Sequence, residues 1–263
     1  MNIDYITVNV NPQGLGNILF MVFAGYIVSR NKKLRLNVFL PDKQEHNINN
    51  LDYYDIFFKT FTTRVLTLEQ KEQFGVPAFS IWNPDNVLPG SIMSSYFQYY
   101  PPLKPYESEI RELVIAALEP YRQKIKETGD FSNRIFLHIR RGDYLKFPNY
   151  WFLPSIEYYK RAIQILKPIK PVIIVSNDNS WVQSHPYFSD TRYFEIFEGN
   201  EIETLAVMSL CTSGAICANS SFSWWGAFLG AHSERNNVIV PRIWVGDNVH
   251  SLFPEEWLAV DSA

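Results

Sequence analysis

From Asn133 to the end of the chain, short runs of β-branched and aromatic residues alternate with segments of helical spacing, and this alternation constrains the fold most strongly. The runs are Arg134 to Arg140, Pro171 to Ser176, Tyr193 to Phe197, Gly214 to Ala218 and Asn237 to Val240. Between them, Ser155 to Leu166, Asn179 to Ser184, Ile202 to Cys211 and Phe222 to Gly230 read as helices. Apolar strands separated by helices belong to a parallel sheet covered on both faces. The C-terminal half is therefore expected to be a doubly wound, Rossmann-like lobe.

The first half is less regular. Ile3 to Val10 reads as a strand, Gly14-Leu15-Gly16-Asn17 as a turn, Leu19 to Arg30 as a helix and Leu34 to Phe39 as a second strand. Between Asp42 and Pro105, helix and strand patterns compete. Pro101-Pro102 and Pro105 then interrupt the chain before a long helix, Glu107 to Thr128, which reads as the bridge between two lobes. A length of 263 residues suits two such lobes, 1–130 and 131–263. No internal repeat or low-complexity tract interrupts them.

Composition excludes several classes. Apolar residues at 46% and charged residues at 19% indicate a globular chain rather than a disordered one. Lys and Arg number 24 against 27 Asp and Glu, so a net charge of −3 offers no broad basic field for nucleic acid. Any bound anion must then be held by a local cluster. The longest apolar run, Phe20 to Val28, is far short of the ~20 residues a membrane span needs. The first residues, Met1-Asn2-Ile3-Asp4-Tyr5, lack a positive segment followed by an apolar one, so no secretory signal is expected. Two cysteines, Cys211 and Cys217, cannot build a disulfide framework and fit a cytoplasmic setting, where both read as small buried residues. Aromatics reach 16%, concentrated between Tyr53 and Tyr106 and between Tyr144 and Tyr159. Such rings fill interiors and also form sugar platforms, for which Tyr96, Tyr99 and Tyr100 are candidates.

The most informative stretch is His138-Ile139-Arg140-Arg141-Gly142-Asp143-Tyr144. Residues two apart on a strand share a face, so His138 and Arg140 point one way while Ile135, Leu137 and Ile139 point the other. Arg140, Arg141 and Asp143 fall at the carboxyl end of that strand, where open parallel sheets bind ligands. Two adjacent guanidiniums there can clamp a diphosphate, because the planar fork donates parallel hydrogen bonds and keeps its charge. The bland alternatives are arginines salt-bridged on a surface turn and a hydrogen-bonded core histidine. Downstream, Ala218-Asn219-Ser220-Ser221 precedes a helix, so Asn and Ser can cap its start while backbone amides face an anion. Ser221 and Ser223 add hydroxyls, and Trp224 and Trp225 read as core.

The HIRRGDY stretch resembles the HxRRxD signature of α1,2-, α1,6- and protein O-fucosyltransferases, in the form found in the α1,2-fucosyltransferases of glycosyltransferase family 11. Gln13-Gly14-Leu15-Gly16-Asn17-Ile18-Leu19-Phe20-Met21 is similar to that family's GGLGNQxFQ loop, with Ile18 and Met21 where glutamine is usual and Gln13 in place of the first glycine. Cys217-Ala218-Asn219-Ser220-Ser221-Phe222-Ser223-Trp224-Trp225-Gly226 is similar to its ANSxFSWWGA motif, and Ser176-Asn177-Asp178 stands where it has SDD or SND. The resemblance implies an α/β, GT-B-like fold, with two Rossmann-like lobes facing across a cleft. It implies transfer of L-fucose from GDP-β-L-fucose, with inversion, to the 2-hydroxyl of a terminal galactose on a glycan. On that basis Arg140 and Arg141 neutralise the diphosphate, and Asp143 is the candidate base or base-orienting residue. His138 and Asp178 contact the nucleotide, while Asn219, Ser220, Ser221, Phe222 and Ser223 line the donor site. Gly14 and Gly16 let the backbone pass close to the sugar-nucleotide, with Asn17 donating to the sugar. Glu201 or Glu203, first read as charges suited to a helix N-terminus, can also approach the nucleotide.

Other chemistries fit less well. Gly14-Leu15-Gly16 begins a dinucleotide fingerprint, but position 19 is Leu19 rather than glycine, and Asp42 comes only after Pro41. His46, His185, His232 and His250 have no ligand spacing, so no metal or other cofactor is expected. The competing functions are another linkage, another GDP-sugar, or a sugar-nucleotide or glycan-binding protein without activity.

Overall fold

The computed structural model describes residues 3–10, 13–41, 51–68, 72–77, 80–147, 152–230, 237–244 and 252–263. Asp42, His46, His232 and His250 lie outside them. The chain divides into two compact units, 1–117 with 251–253 and 118–250 with 254–263.

In the first unit, β1 (Tyr5–Asn9) leads to α1 (Leu15–Lys32), β2 (Arg35–Phe39) and a wide helical turn at Tyr54–Phe58. Three strands of two residues follow: β3 (Thr63–Arg64), β4 (Gln73–Phe74) and β5 (Ile92–Met93). All pair in parallel, in the order β3-β2-β1-β5-β4, with Val8 opposite both Val38 and Met93. The region of competing patterns is thus sheet as well, in strands too short to show a period. α1 is apolar on nearly every side and buried from Leu15 to Ser29 except at Asn17, as expected of a helix enclosed by its own unit. α2 (Glu107–Thr128) has the bounds expected from sequence, and the division between units falls inside it.

The second unit holds β6 (Ile135–Ile139), α3 (Ile156–Leu166), β7 (Val172–Ser176), α4 (Asn179–Ser184), β8 (Phe194–Ile196), α5 (Glu201–Leu210), β9 (Gly214–Ile216), α6 (Ser221–Gly230), β10 (Val238–Pro241) and β11 (Leu258–Val260). Its sheet is parallel throughout, in the order β11-β10-β9-β6-β7-β8, with Leu137 opposite Ile174 and Ile216. Counting from β6, this is the 3-2-1-4-5-6 order of nucleotide-binding sheets. Ile135, Leu137 and Ile139 pack with Tyr158, Tyr159 and Ala162 of α3 on one face. Ser155 starts α3 by accepting the Tyr158 amide at 3.2 Å. α6 covers the other face and buries Trp224 and Trp225 completely, as core residues. Gly226 lets α5 come close, since a Cβ there would lie 2.2 Å from Met208 Sδ. Cys211 and Cys217 are buried, which pushes both thiols above their usual range. No helix among the described residues is long and apolar enough to cross a membrane.

Candidate active site

The second sheet reverses direction at β6: the chain runs outward through β7 and β8, then returns to β9 on the other side. Ligands of such sheets sit beyond the strands' carboxyl ends at that reversal. Three segments leave there, Arg140 to Asp143 after β6, Ser176 to Asp178 at the end of β7, and Cys217 to Ser221 after β9.

His138 faces α6, with its ring 6.0 Å from that of Phe222. It is 3% exposed, and its Nδ1 has no hydrogen-bond partner among the described residues. Burial, and then the charge of Arg140, push its pKa down to about 3, so the imidazole is neutral. Because the folded value lies below the ordinary 6.5, the stability His138 confers is whole above pH 6.5 and is lost as pH falls from there toward 3. The loss inside that window should be on the order of 1 kcal/mol per pH unit. Urea unfolding at pH 7, 5 and 4 should show wild type weakening more steeply than His138→Gln.

The two arginines take different partners. Arg140 Nη2 lies 2.8 Å from the Asp143 carboxylate, with its guanidinium carbon 5.4 Å from the Tyr144 ring centre. Arg141 stacks at 3.9 Å on Trp181, and its Nε donates to Asp178 at 3.3 Å. Neither Nη of Arg141 has a partner among the described residues, so its outer fork remains available to a phosphate. Asn177 joins the two halves: its Oδ1 accepts the Arg141 amide at 2.9 Å, and its Nδ2 donates to Asp143 at 3.4 Å. Gly142 makes room for this, because a Cβ there would fall 2.4 Å from Asn177 Nδ2. Asp178 also caps α4 by accepting the Trp181 amide at 3.2 Å. The two carboxylates therefore hold the guanidiniums in place.

Tyr144 ties β6 to β9, its hydroxyl donating to Asn219 O at 2.9 Å. Ser220 Oγ accepts the Phe222 amide at 3.3 Å, capping α6 as expected, and Ser221 and Phe222 are half-buried in the first turn. Two residues expected on the donor turn inward instead. Asn219 is buried and donates to Phe152 O and Trp244 O at 2.5 and 2.9 Å. Ser223 is fully buried, its hydroxyl on Ala218 O and Ser220 O at 3.0 and 3.1 Å. Both satisfy buried carbonyls and so shape the turn that carries Ser221. Glu203 completes a capping box with Asn200, as a helix-start charge.

Gly14, Gly16 and Asn17 belong to the first unit. Gly14 is extended at φ −68, and α1 starts at Leu15, so Gly16 and Asn17 lie in its first turn rather than in the turn expected from sequence. Gly16 does not break the chain because the buried apolar face that starts at Leu15 continues past it through Ile18 and Leu19. Asn17 donates to Gln13 Oε1 at 3.2 Å and accepts from Gln98 Nε2 at 2.7 Å. Tyr100 is buried, its hydroxyl on Glu107 at 2.8 Å, while Tyr96 and Tyr99 are half-buried. Sequence reasoning passed over Trp181, Gln98 and the bridging parts of Asn177 and Tyr144. The last two stood inside quoted motifs; Trp181 and Gln98 carried no local pattern.

Two parallel sheets, the second in nucleotide-binding order with cationic side chains gathered at its reversal, are the build of a GT-B-like glycosyltransferase. The chain belongs to glycosyl transferase family 11, whose sequence profile matches residues 87–260. It is 26% identical over 302 residues to the O-antigen biosynthesis glycosyltransferase WbnK of Escherichia coli, with 93% of this chain and 97% of that one covered. It is also 26% identical over 286 residues to an α-1,2-colitosyltransferase of Escherichia coli, with 94% and 96% covered. The fold is shared with the fucosyltransferase NodZ from Bradyrhizobium at a TM-score of 0.56 and 9% identity, over 88% of this chain and 93% of that one. A structure of NodZ α-1,6-fucosyltransferase soaked with GDP-fucose gives 0.54 at 10% identity, over 86% and 92%.

Proposed function

We propose that this glycosyltransferase moves L-fucose from GDP-β-L-fucose to the 2-hydroxyl of a terminal galactose, inverting the anomeric carbon and using no metal. The observation that carries this reading is that the free Arg141 fork follows β6 and the start of α6 follows β9, its neighbour in the sheet, at the strand reversal. A diphosphate placed there meets guanidinium N–H donors and helix-terminal amides together. The relative named for an α-1,2 transfer supports the linkage, and the NodZ structure soaked with GDP-fucose supports the donor.

In one displacement, the acceptor hydroxyl attacks C1 as the bond to GDP breaks, its proton passing to an oxygen of the departing diphosphate, and the departing charge is stabilised by Arg140, Arg141 and the α6 amides. His138 supplies a neutral wall beside the nucleotide, and Asp178 holds Arg141 against Trp181. Asp143, bound to Arg140 and Asn177, is assigned to orienting that arginine, with any base role secondary. Asp143→Asn should then weaken donor affinity about tenfold with a smaller change in kcat; a loss confined to kcat would instead make Asp143 the base. Turnover should persist in excess EDTA, and its abolition by chelation would end the metal-free proposal.

A second reading is transfer of another GDP-sugar or to another position, favoured by relatives named for colitosyl and α-1,6-fucosyl transfer. A donor-by-acceptor screen with the product linkage read by NMR separates the two. A protein that only binds sugar-nucleotide would release no GDP under any condition.

A further inference from the structure

The first unit carries a cavity of about 570 Å³ at the end of its sheet where the strands begin, a volume typical of small-molecule sites. The last turns of α1, the start of β2 and the Thr60–Thr63 segment leading into β3 frame it. The lining is chemically one-sided. Arg30, Lys33 and Arg35 bring three positive charges, Thr60, Thr62 and Thr63 bring hydroxyls, and no carboxylate among the described residues takes part. Two acids outside the lining hold the arginines instead. Glu109 of α2 lies 3.2 Å from Arg30 Nη2 and also accepts the Tyr26 hydroxyl, while Asp4 takes Arg35 Nε and Nη2 at 3.1 and 2.7 Å. Arg35 Nη1 and the Lys33 ammonium make no hydrogen bond among the described residues.

Lys33 is the least expected of the three bases. It ends α1 in the left-handed region at φ 55, its amide returning to Ser29 O. Glycine is favoured there, because it lacks the Cβ that this conformation crowds. The negative end of the helix is already met by Arg30 and Lys32 in the last turn. The strained lysine therefore adds something else, an ammonium at the cavity. Phe61 supplies an apolar wall beside it: half-buried, with Phe23 stacked at 5.7 Å and Tyr26 edge-on at 5.2 Å, its ring also lines the cavity. A bare inorganic anion has no use for such a ring, whereas the C–H edge of a sugar packs on one.

We infer that this cavity binds an anionic saccharide, a sugar ring carrying a carboxylate or a phosphate, through residues of the first unit alone. Bases without acids select the negative group, the threonine hydroxyls exchange hydrogen bonds with those of the ring, and Phe61 covers its apolar edge. Guanidinium and ammonium groups accept carboxylate and phosphate alike, and the choice of probe separates the two.

Saturation-transfer NMR on the full chain with D-glucuronate, D-galactose 6-phosphate and neutral D-galactose tests this. At least one charged sugar should respond with wild type, and its signal should weaken as sodium chloride is added. Which one responds names the anionic group. In Lys33→Gly its Kd should rise about tenfold, the scale of one lost charge-assisted hydrogen bond, with any D-galactose signal unaltered. Glycine suits the backbone at position 33, so this variant should melt no lower than wild type; Lys33→Gln carries the test if it does. Arg141→Ala should leave the charged-sugar signal as it is. A signal undiminished in a folded Lys33 variant, or lost in Arg141→Ala instead, overturns the inference. So does silence from both charged sugars with wild type, or inorganic phosphate binding where the sugar protons stay silent. Turnover of GDP-fucose is read in a separate assay, so failure of the transferase reading leaves this result standing.

Discussion

Arg141→Ala is expected to lower kcat/KM for sugar transfer by about 10²–10³-fold, the scale on which one preorganised donor to a developing negative charge acts. Arg141 is placed for this by both its neighbours. Its guanidinium lies 3.9 Å from the Trp181 ring, and Asp178 takes only its Nε. The outer nitrogens are thus aimed by contacts that do not occupy them. Arg141→Lys should recover only part of the activity, because an ammonium keeps the charge and loses both the stacking plane and the fork. Initial rates with GDP-fucose, together with GDP binding by calorimetry, check this. Wild-type turnover in Arg141→Ala would remove the diphosphate assignment altogether.

Trp224→Ala is expected to destabilise the fold by about 3–5 kcal/mol, the range for emptying a large buried aromatic site. Trp224 is 0% exposed. Its ring stacks on Phe228 at 5.0 Å, meets Trp225 edge-on at 5.2 Å and lies 5.5 Å from Trp257. Surrounding rings of that size cannot collapse into the gap without leaving their own contacts. Against a typical domain stability of roughly 5–15 kcal/mol, the loss is large enough to read directly as a lower urea midpoint. GDP affinity should fall with it if, as proposed, the first turn of α6 faces the diphosphate. Trp224→Phe should restore most of the stability, and an unchanged midpoint in Trp224→Ala would refute the packing account.

Much of the second unit was legible from local pattern. The bounds of α2 and α4 match those read from sequence, and β7 and α3 begin one residue later than their sequence segments. Such agreement follows from strands buried on both faces, where apolar runs must be continuous, and from caps such as Ser155 that mark helix starts. The first unit was harder for a physical reason. β3, β4 and β5 have two residues each and owe their existence to pairing beside β1 and β2, which leaves no periodic trace in the chain. β11 likewise exists by pairing with β10.

The site divides along the same line. Residue type and spacing pointed to Arg140, Arg141 and the Asn219–Ser221 turn, because period two and the strand-to-helix turn fix which groups reach a strand end, whereas the roles proposed for His138 and Asp143 came from the family resemblance. Only the folded chain decided their partners. Arg140 goes to Asp143 and Arg141 to Asp178 and Trp181, Asn219 and Ser223 turn to backbone carbonyls, and Gln98 reaches Asn17 across 81 residues of sequence. Hydrogen bonds and ring stacking act over a few ångströms, and which distant segments come that close is set by strand order, which no local pattern encodes.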